Sequence, residues 1–319
     1  MKRIISVLVA TAIILLTLCS CTTEIDNNST LSIVCTAFPQ YDFVKNIIGS
    51  DEGLTLLLDD GADLHSYEPT AGDIIKIGSA DIFIYVGGVS DDWSDGVIRS
   101  ANNPDLKSIA LMDLVDTLKE EYVSGMQQEN HIHEHQDAHS GNHIGEDEHI
   151  WLSIKNAITI TSSLCDAICE ADPENSEKYH SNAENYISEL KNLDSEYKNM
   201  ISTAKRKTVL FADRFPFRYL TEDYNLTYYA AFAGCSSESE ASFETLAFLI
   251  NKTKELNLTT ILTIEGSDGS LAKTVCESTG SKTAVLDSCQ SVSLSDIANG
   301  TSYLNIMKNN LEILQEALN

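Results

Sequence analysis

Apolar positions fall in short blocks that switch between two periods. Leu31-Ser-Ile-Val-Cys-Thr-Ala37 reads as a strand buried on both faces, Gln40 to Ile48 repeats at helical spacing, and Leu54 to Leu58 is a second strand that runs into a Gly-containing loop. Asp73 to Ser79 reads as a short helix and Ala80-Asp-Ile-Phe-Ile-Tyr-Val86 as a third strand ending in Gly87-Gly88, with another such unit running towards Leu111. Between Glu120 and Glu148 the periodicity disappears into a polar stretch, which predicts a solvated loop. Asp172-Pro173 then offers an N-cap followed by proline in the first turn. Tyr179, Ala183, Tyr186, Leu190, Leu193, Tyr197 and Met200 follow at helical spacing. A helix from about Glu174 to about Ser202 spans roughly 40 Å at 1.5 Å per residue.

The alternation resumes beyond that helix. Strands are expected at Thr208 to Phe211, Leu226 to Ala231, Thr259 to Ile264 and Ala284 to Leu286. Helices are expected at Phe215 to Tyr224, Ser242 to Glu255, Ser270 to Thr279 and about Ser302 to Leu318. Alternating strands and helices predict parallel sheets with crossover helices. The fold class expected is therefore α/β, with two similar parallel-sheet βα lobes joined by a long rigid helix. The boundaries are 31–171 for the first lobe with its loop at 128–148, 172–203 for the linking helix, and 204–319 for the second lobe. In such sheets ligands sit beyond the carboxyl ends of the strands, so the cleft between the lobes is the expected site.

The first 30 residues have a different character. Met1-Lys2-Arg3, an apolar run from Ile4 to Leu18 and then Cys19-Ser20-Cys21 make an export signal over residues 1–20, and the run is shorter than the roughly 20 residues a bilayer span needs. The Leu18-Cys19-Ser20-Cys21 ending resembles a bacterial lipobox, in which Cys21 carries lipid and becomes the first mature residue. Residues 21–30 read as a flexible tether, and the expected location is the extracytoplasmic face of a membrane. The chain of 319 residues has 48 Asp and Glu against 21 Lys and Arg, a formal net charge of -27, which excludes nucleic acid as a partner. Its 43% hydrophobic content suffices for a substantial core.

Six cysteines remain beyond Cys21: Cys35, Cys165, Cys169, Cys235, Cys276 and Cys289. Cys165 and Cys169 lie one helical turn apart in an apolar stretch and read as buried thiols. Cys235 and Cys289 each follow a predicted strand, and export permits a disulfide between them.

Three positions carry candidate chemistry. His65 lies in a loop just after a predicted strand, where its side chain faces the cleft, although a lone loop histidine is ordinarily a surface group. His149 ends a run of six imidazoles that begins with His131, His133, His135, His139 and His143, and it is the member that adjoins an apolar segment, Ile150-Trp151-Leu152. Asp287 follows a strand of the second lobe, where it either ligates or caps the next turn. Imidazole suits zinc, copper, nickel and iron, whereas manganese prefers oxygen.

His65 with its Tyr67-Glu68-Pro69-Thr70 tail, the Ala80-Asp-Ile-Phe-Ile-Tyr85 strand before Gly87-Gly88, Glu148-His149-Ile150-Trp151-Leu152 and Asp287 resemble the zinc and manganese solute-binding lipoproteins of ABC importers. The resemblance runs from about Leu31 to Leu318. It implies two lobes flanking a rigid helix and a metal held between them by His65, His149 and Asp287. It further implies zinc rather than manganese as cargo, with the loop histidines His131, His133, His135, His139 and His143 as an auxiliary capture site. The implied partners are an ABC permease and its ATPase, with the chain a lipid-anchored monomer. Leu210-Phe211-Ala212-Asp213-Arg214-Phe215 resembles the third-ligand motif, and Ala212 falls where zinc members have histidine. The remaining vertex then goes to a water, Asp213, Glu240, Glu265 or a loop histidine.

A surface adhesin or metal sensor of the same fold is the alternative in another class. A zinc hydrolase is a third reading, since an open zinc position can activate water. It lacks a His-Glu-x-x-His pair, and neither a Gly-x-Ser-x-Gly turn nor a Walker pattern is present.

Overall fold

The buried apolar runs become strands, and the amphipathic runs become the helices that cover them. The computed structural model describes residues 30–60, 62–127, 145–236 and 240–319. In chain order the first half contains β1 (Ile33–Cys35), α1 (Phe38–Ile48), β2 (Leu54–Leu56), α2 (Ala71–Gly78), β3 (Ile82–Tyr85), α3 (Trp93–Ala101) and β4 (Lys107–Ala110). Two long helices follow, α4 (Ile154–Ala171) and α5 (Ser176–Thr203). The second half contains β5 (Thr208–Phe215), α6 (Arg218–Tyr224), β6 (Thr227–Ala233), α7 (Phe243–Glu255), β7 (Thr260–Thr263), α8 (Ser270–Thr279), β8 (Lys282–Val285), α9 (Leu294–Ala298) and α10 (Tyr303–Leu318).

Each half builds a four-stranded parallel sheet in the same spatial order, β2-β1-β3-β4 and β6-β5-β7-β8. Both sheets belong to one unit, Ser32–Asn319. All the strand ends that bear loops of interest point the same way along their own sheet. His65 follows β2, Gly87-Gly88 follows β3, Arg214 lies at the end of β5, and Gly234-Cys235 follows β6.

The linking helix is as long as the spacing predicts. Its 28 residues extend for about 42 Å. It buries Tyr179, Ala183, Tyr186, Leu190, Leu193, Asp194, Tyr197 and Ile201. Ile201 replaces the expected Met200 in that stripe, because a four-residue step from Tyr197 keeps the side chain on the buried face. Burial of Leu190 and Leu193 contributes about 1.5–3 kcal/mol each. The tyrosines tie the helix to both halves. Tyr186 donates to Asp42 of α1 at 3.0 Å, and Tyr197 donates to the Met307 carbonyl of α10 at 2.7 Å.

Two differences from the sequence expectation bear on the site. The helical spacing of Cys165 and Cys169 belongs to α4, a helix whose bounds the sequence pattern did not give; its apolar face is buried while Ser153 caps its start by accepting from the Asn156 N–H at 3.0 Å. Strand β5 runs four residues beyond the expected Phe211, with a register shift between Phe211 and Arg214. Such an irregularity inserts residues into one strand and re-aims the side chains beyond it. Ala212 accordingly packs into the core of the second half with Leu210, Ala231 and Leu249. Arg214 is instead the residue of that segment that reaches across, meeting Asp63 at 2.8 Å.

Candidate metal centre between the sheets

His65 lies on a single turn, Leu64–Ser66, whose preceding Asp63 accepts the His65 N–H at 3.0 Å. The same Asp63 carboxylate binds the Arg214 guanidinium. Burial works to raise the Asp63 pKa, but Arg214 and the His65 N–H more than offset it and hold the carboxyl below its ordinary value. The loop after β2 is thereby fixed to the end of β5.

His149 opens a second turn, Ile150–Leu152, and is fully buried. Asp147 Oδ1 accepts its backbone N–H at 2.8 Å and lies 2.9 Å from its Nδ1. The Tyr219 hydroxyl holds the Asp147 carbonyl at 2.7 Å, and the Trp151 indole N–H reaches the Ser288 carbonyl at 2.8 Å. Residues from the second half therefore pin the histidine segment on two sides.

The two rings converge. His65 Nε2 and His149 Nε2 are 3.2 Å apart. His65 Nδ1 lies 2.7 Å from Ser90 Oγ, and Glu148 Oε2 lies 3.6 Å from the same nitrogen. With each Nδ1 carrying the proton towards its oxygen partner, both Nε2 lone pairs face one point. Zinc–nitrogen bonds of about 2.0–2.1 Å at a tetrahedral angle place their nitrogens about 3.3–3.4 Å apart, close to the separation seen. Oxygen partners behind ligating imidazoles fix the tautomer and raise basicity in the same way.

Cys235 completes a triangle. One ligand atom each from His65, His149 and Cys235 lies within 4.8 Å of the others. The Cys235 N–H donates to Glu120 at 2.9 Å. The preceding Gly234 is required by close approach, since a Cβ there would stand 2.8 Å from the Phe215 carbonyl and 3.1 Å from His149. Gly88, at a φ of +78°, likewise leaves room for Glu148, whose carboxylate a Cβ would meet at 2.5 Å. Glu148 Oε1 is held by the Ser90 N–H at 2.9 Å, so this packing also positions the serine behind His65.

The charges around the triangle suit a cation. Burial, with His149 and Arg214 adding to it, lowers the His65 pKa to about 4. Burial opposes protonation of His149 as well, but Asp147 outweighs it and raises the pKa above its ordinary value. The Cys235 thiol is pushed up by burial and by Glu120, Asp147 and Glu148. A dication at this point reverses that balance, because carboxylates that oppose a thiolate attract the metal that stabilises it.

Asp147→Asn tests the support behind His149. The exchange keeps size but removes the anionic acceptor, and loss of such a partner typically lowers metal affinity about 10- to 100-fold. Competition titration against a chromogenic chelator should give that loss of zinc affinity with the far-UV spectrum unchanged. An unaltered affinity would separate Asp147 from the metal.

The expected site residues divide into three groups. His65 and His149 come together as anticipated. Asp287 does not join their cluster: its Oδ1 accepts the Cys289 N–H at 2.7 Å, and burial together with Glu265 raises its pKa to about 6. The anticipated Cys235–Cys289 disulfide is absent, both thiols being free. Cys235 faces the histidines, whereas Cys289 is buried near Asp287, Tyr197 and Tyr303, so the two sulfurs occupy different surroundings. Cys21, His131, His133, His135, His139 and His143 lie outside the described residues. The residues that sequence reasoning missed are Cys235 as a donor, Asp147 and Ser90 behind the rings, and Arg214. Position after a parallel strand, the argument used for His65, applies equally to Cys235 after β6.

Comparison with known proteins gives a consistent set. The family described as ZnuA, zinc-uptake complex component A periplasmic, matches residues 33–317. The zinc-binding lipoprotein AdcA of Streptococcus pneumoniae serotype 4 is 31% identical over 317 residues, covering 99% of this chain and 61% of the relative. This chain thus spans about three fifths of that relative's length. The high-affinity zinc uptake system protein ZnuA of Bacillus subtilis is 29% identical over 288 residues, covering 90% of this chain and 88% of the relative. The crystal structure of the Zn(II)-bound ZnuA-like domain of Streptococcus pneumoniae AdcA superposes with a TM-score of 0.72 at 29% identity, over 90% of this chain and 98% of that domain.

Proposed function

We propose that this chain, which belongs to the ZnuA family of periplasmic zinc-uptake components, captures zinc in the cleft between its two sheets and delivers it to an ABC permease and its ATPase. The observation that carries this reading is the pair of Nε2 atoms at 3.2 Å, each ring held from behind by an oxygen group. Such a pair repels a proton on both nitrogens and is completed by a metal between them. Cys235 supplies the third donor. Thiolate and imidazole together favour zinc over manganese, which selects oxygen. Asp287 of the second lobe is the oxygen donor we assign to the fourth vertex. The protein acts as a carrier, and no bond in the cargo is made or broken. The loop histidines add weaker sites that raise local zinc concentration.

Affinity should depend on pH in two regimes. The Cys235 thiol must lose its proton to bind at any ordinary pH, and the raised pKa of His149 adds a second proton once the medium falls below that value. Apparent log K should therefore rise with a slope of about one per pH unit near pH 8 and about two below about pH 6.5. His65 adds a further step only near pH 4. A slope that stays at one down to pH 5 would remove His149 from the ligand set.

Relatives are named as lipoproteins and as a periplasmic component, which places this family outside the cytoplasm. Among the described residues no helix is long and apolar enough to cross a membrane. We assign the anchor to Cys21 on the lipobox-like Leu18-Cys19-Ser20-Cys21 sequence. Cys21→Ala should shift the protein from the membrane fraction to the soluble extracytoplasmic fraction, and an unchanged distribution would exclude lipid attachment at that residue.

A further inference from the structure

We infer that the hairpin of α4 and α5 carries a second metal site, made by Cys165, Cys169 and His180, that takes a thiophilic d10 ion of the zinc class. The three residues offer ligand atoms that all lie within 4.8 Å of one another. Cys165 Sγ is 4.0 Å from Cys169 Sγ and 3.6 Å from His180 Nδ1. A zinc ion with bonds of about 2.3 Å to sulfur and about 2.0–2.1 Å to nitrogen, at tetrahedral angles, places two sulfurs about 3.8 Å apart and a sulfur and nitrogen about 3.5–3.6 Å apart. The two edges at Cys165 match those lengths to within a few tenths of an ångström, and the Cys169–His180 edge is no longer than 4.8 Å.

The local fold explains the convergence. Cys165 and Cys169 are one turn apart on α4 and so share a face. The chain reverses through Asp172 and the single turn Pro173–Asn175, which lays the first turns of α5 against that face. His180 then projects back to the cysteines, and the Cys169 thiol donates to the Ser176 carbonyl at 3.8 Å. The turn is itself held, because Tyr179 donates to Asp172 at 2.6 Å and Asn175 donates to the same carboxylate at 2.8 Å. A pair of cysteines kept only for packing needs no imidazole partner.

The site is separate from the cleft. Cys165 and Cys169 lie 11 and 15 residues into α4, which corresponds to about 17 and 22 Å along its axis from the end next to His149. His180 is exposed, so an ion can enter from solvent. Three protein ligands leave one vertex open, the arrangement of an exchangeable site rather than a closed structural one. Burial and Cys169 hold the Cys165 thiol up at about 12, so loading releases protons. The ion clamps α4 to α5 and therefore stiffens the helix pair that links the two sheets.

The test uses the reduced, metal-stripped mature protein preloaded with one equivalent of zinc, then titrated with cobalt in a buffer whose weak chelator suppresses loop binding. The expected result is one further equivalent with a thiolate-to-cobalt charge-transfer band, displaced by more zinc. Cys165→Ser/Cys169→Ser abolishes that band and that equivalent while the first zinc still binds. His180→Ala, an exposed change with little risk to folding, retains the band and weakens the second site at least tenfold. A wild-type protein that takes no second equivalent, or a band that survives Cys165→Ser/Cys169→Ser, overturns the proposal. Neither outcome touches the cleft, whose own loss follows His65→Ala/His149→Ala instead.

Discussion

His65→Ala/His149→Ala removes the tight zinc site and leaves the two sheets in place. The two imidazoles bring their Nε2 atoms to 3.2 Å of each other. Loss of one partner behind a ligand typically lowers affinity about 10- to 100-fold, and removal of two ligands exceeds that by several further tenfold steps of about 1.4 kcal/mol each. His149 is fully buried, so its truncation also opens a cavity, for which about 1–3 kcal/mol of stability is the expected loss. His65 is only partly buried, and His65→Ala alone therefore separates binding from folding. Chelator competition on both variants should show at least about a thousandfold loss for the pair. A tight site that persists in the double variant would place the metal elsewhere.

Cys235→Ser has the second largest expected effect, and its signature is spectroscopic. In the wild-type protein, one equivalent of cobalt in the cleft should give a thiolate-to-metal charge-transfer band. Serine keeps the size of the side chain but offers a poor ligand for a zinc-class ion. The band from the cleft should vanish, and zinc affinity should fall by about 100-fold or more, beyond the loss that follows from an outer partner. A Cβ at the preceding Gly234 would stand 2.8 Å from the Phe215 carbonyl and 3.1 Å from His149, so the backbone beside the cysteine packs closely against the end of β5 and the ring. A Cys235→Ser protein that binds zinc as the wild type does would leave Asp287 or water to supply the third vertex.

Periodicity was sufficient for the sheets because their strands are continuous apolar runs separated by amphipathic helices, and both halves repeat the same strand order. The long helix was readable for the same reason, its tyrosines and leucines marking one face over many turns. The site was readable in part. His65 was identified by its place after a strand, and His149 by the apolar Ile150-Trp151-Leu152 segment it adjoins. The third donor was not readable from β5. A strand irregularity after Phe211 sends Ala212 into the core and Arg214 to the cleft, and no pattern of apolar residues encodes such a shift. Cys235 was visible as a residue but was paired in expectation with Cys289, since strand ends in different parts of one sheet cannot be ordered in space from the sequence alone. Asp147 and Ser90 lie near their histidines only through the fold. A carboxylate two residues from His149 is an unremarkable neighbour until both its oxygen and the ring face the same point.

Zinc X-ray absorption on the Cys165→Ser/Cys169→Ser protein loaded with one equivalent of zinc tests the capture site most directly. Two imidazole nitrogens and one sulfur at about 2.3 Å, with a nitrogen or oxygen completing four ligands, is the predicted shell. A shell with no sulfur, or one without the multiple-scattering pattern of imidazole, would contradict capture by His65, His149 and Cys235.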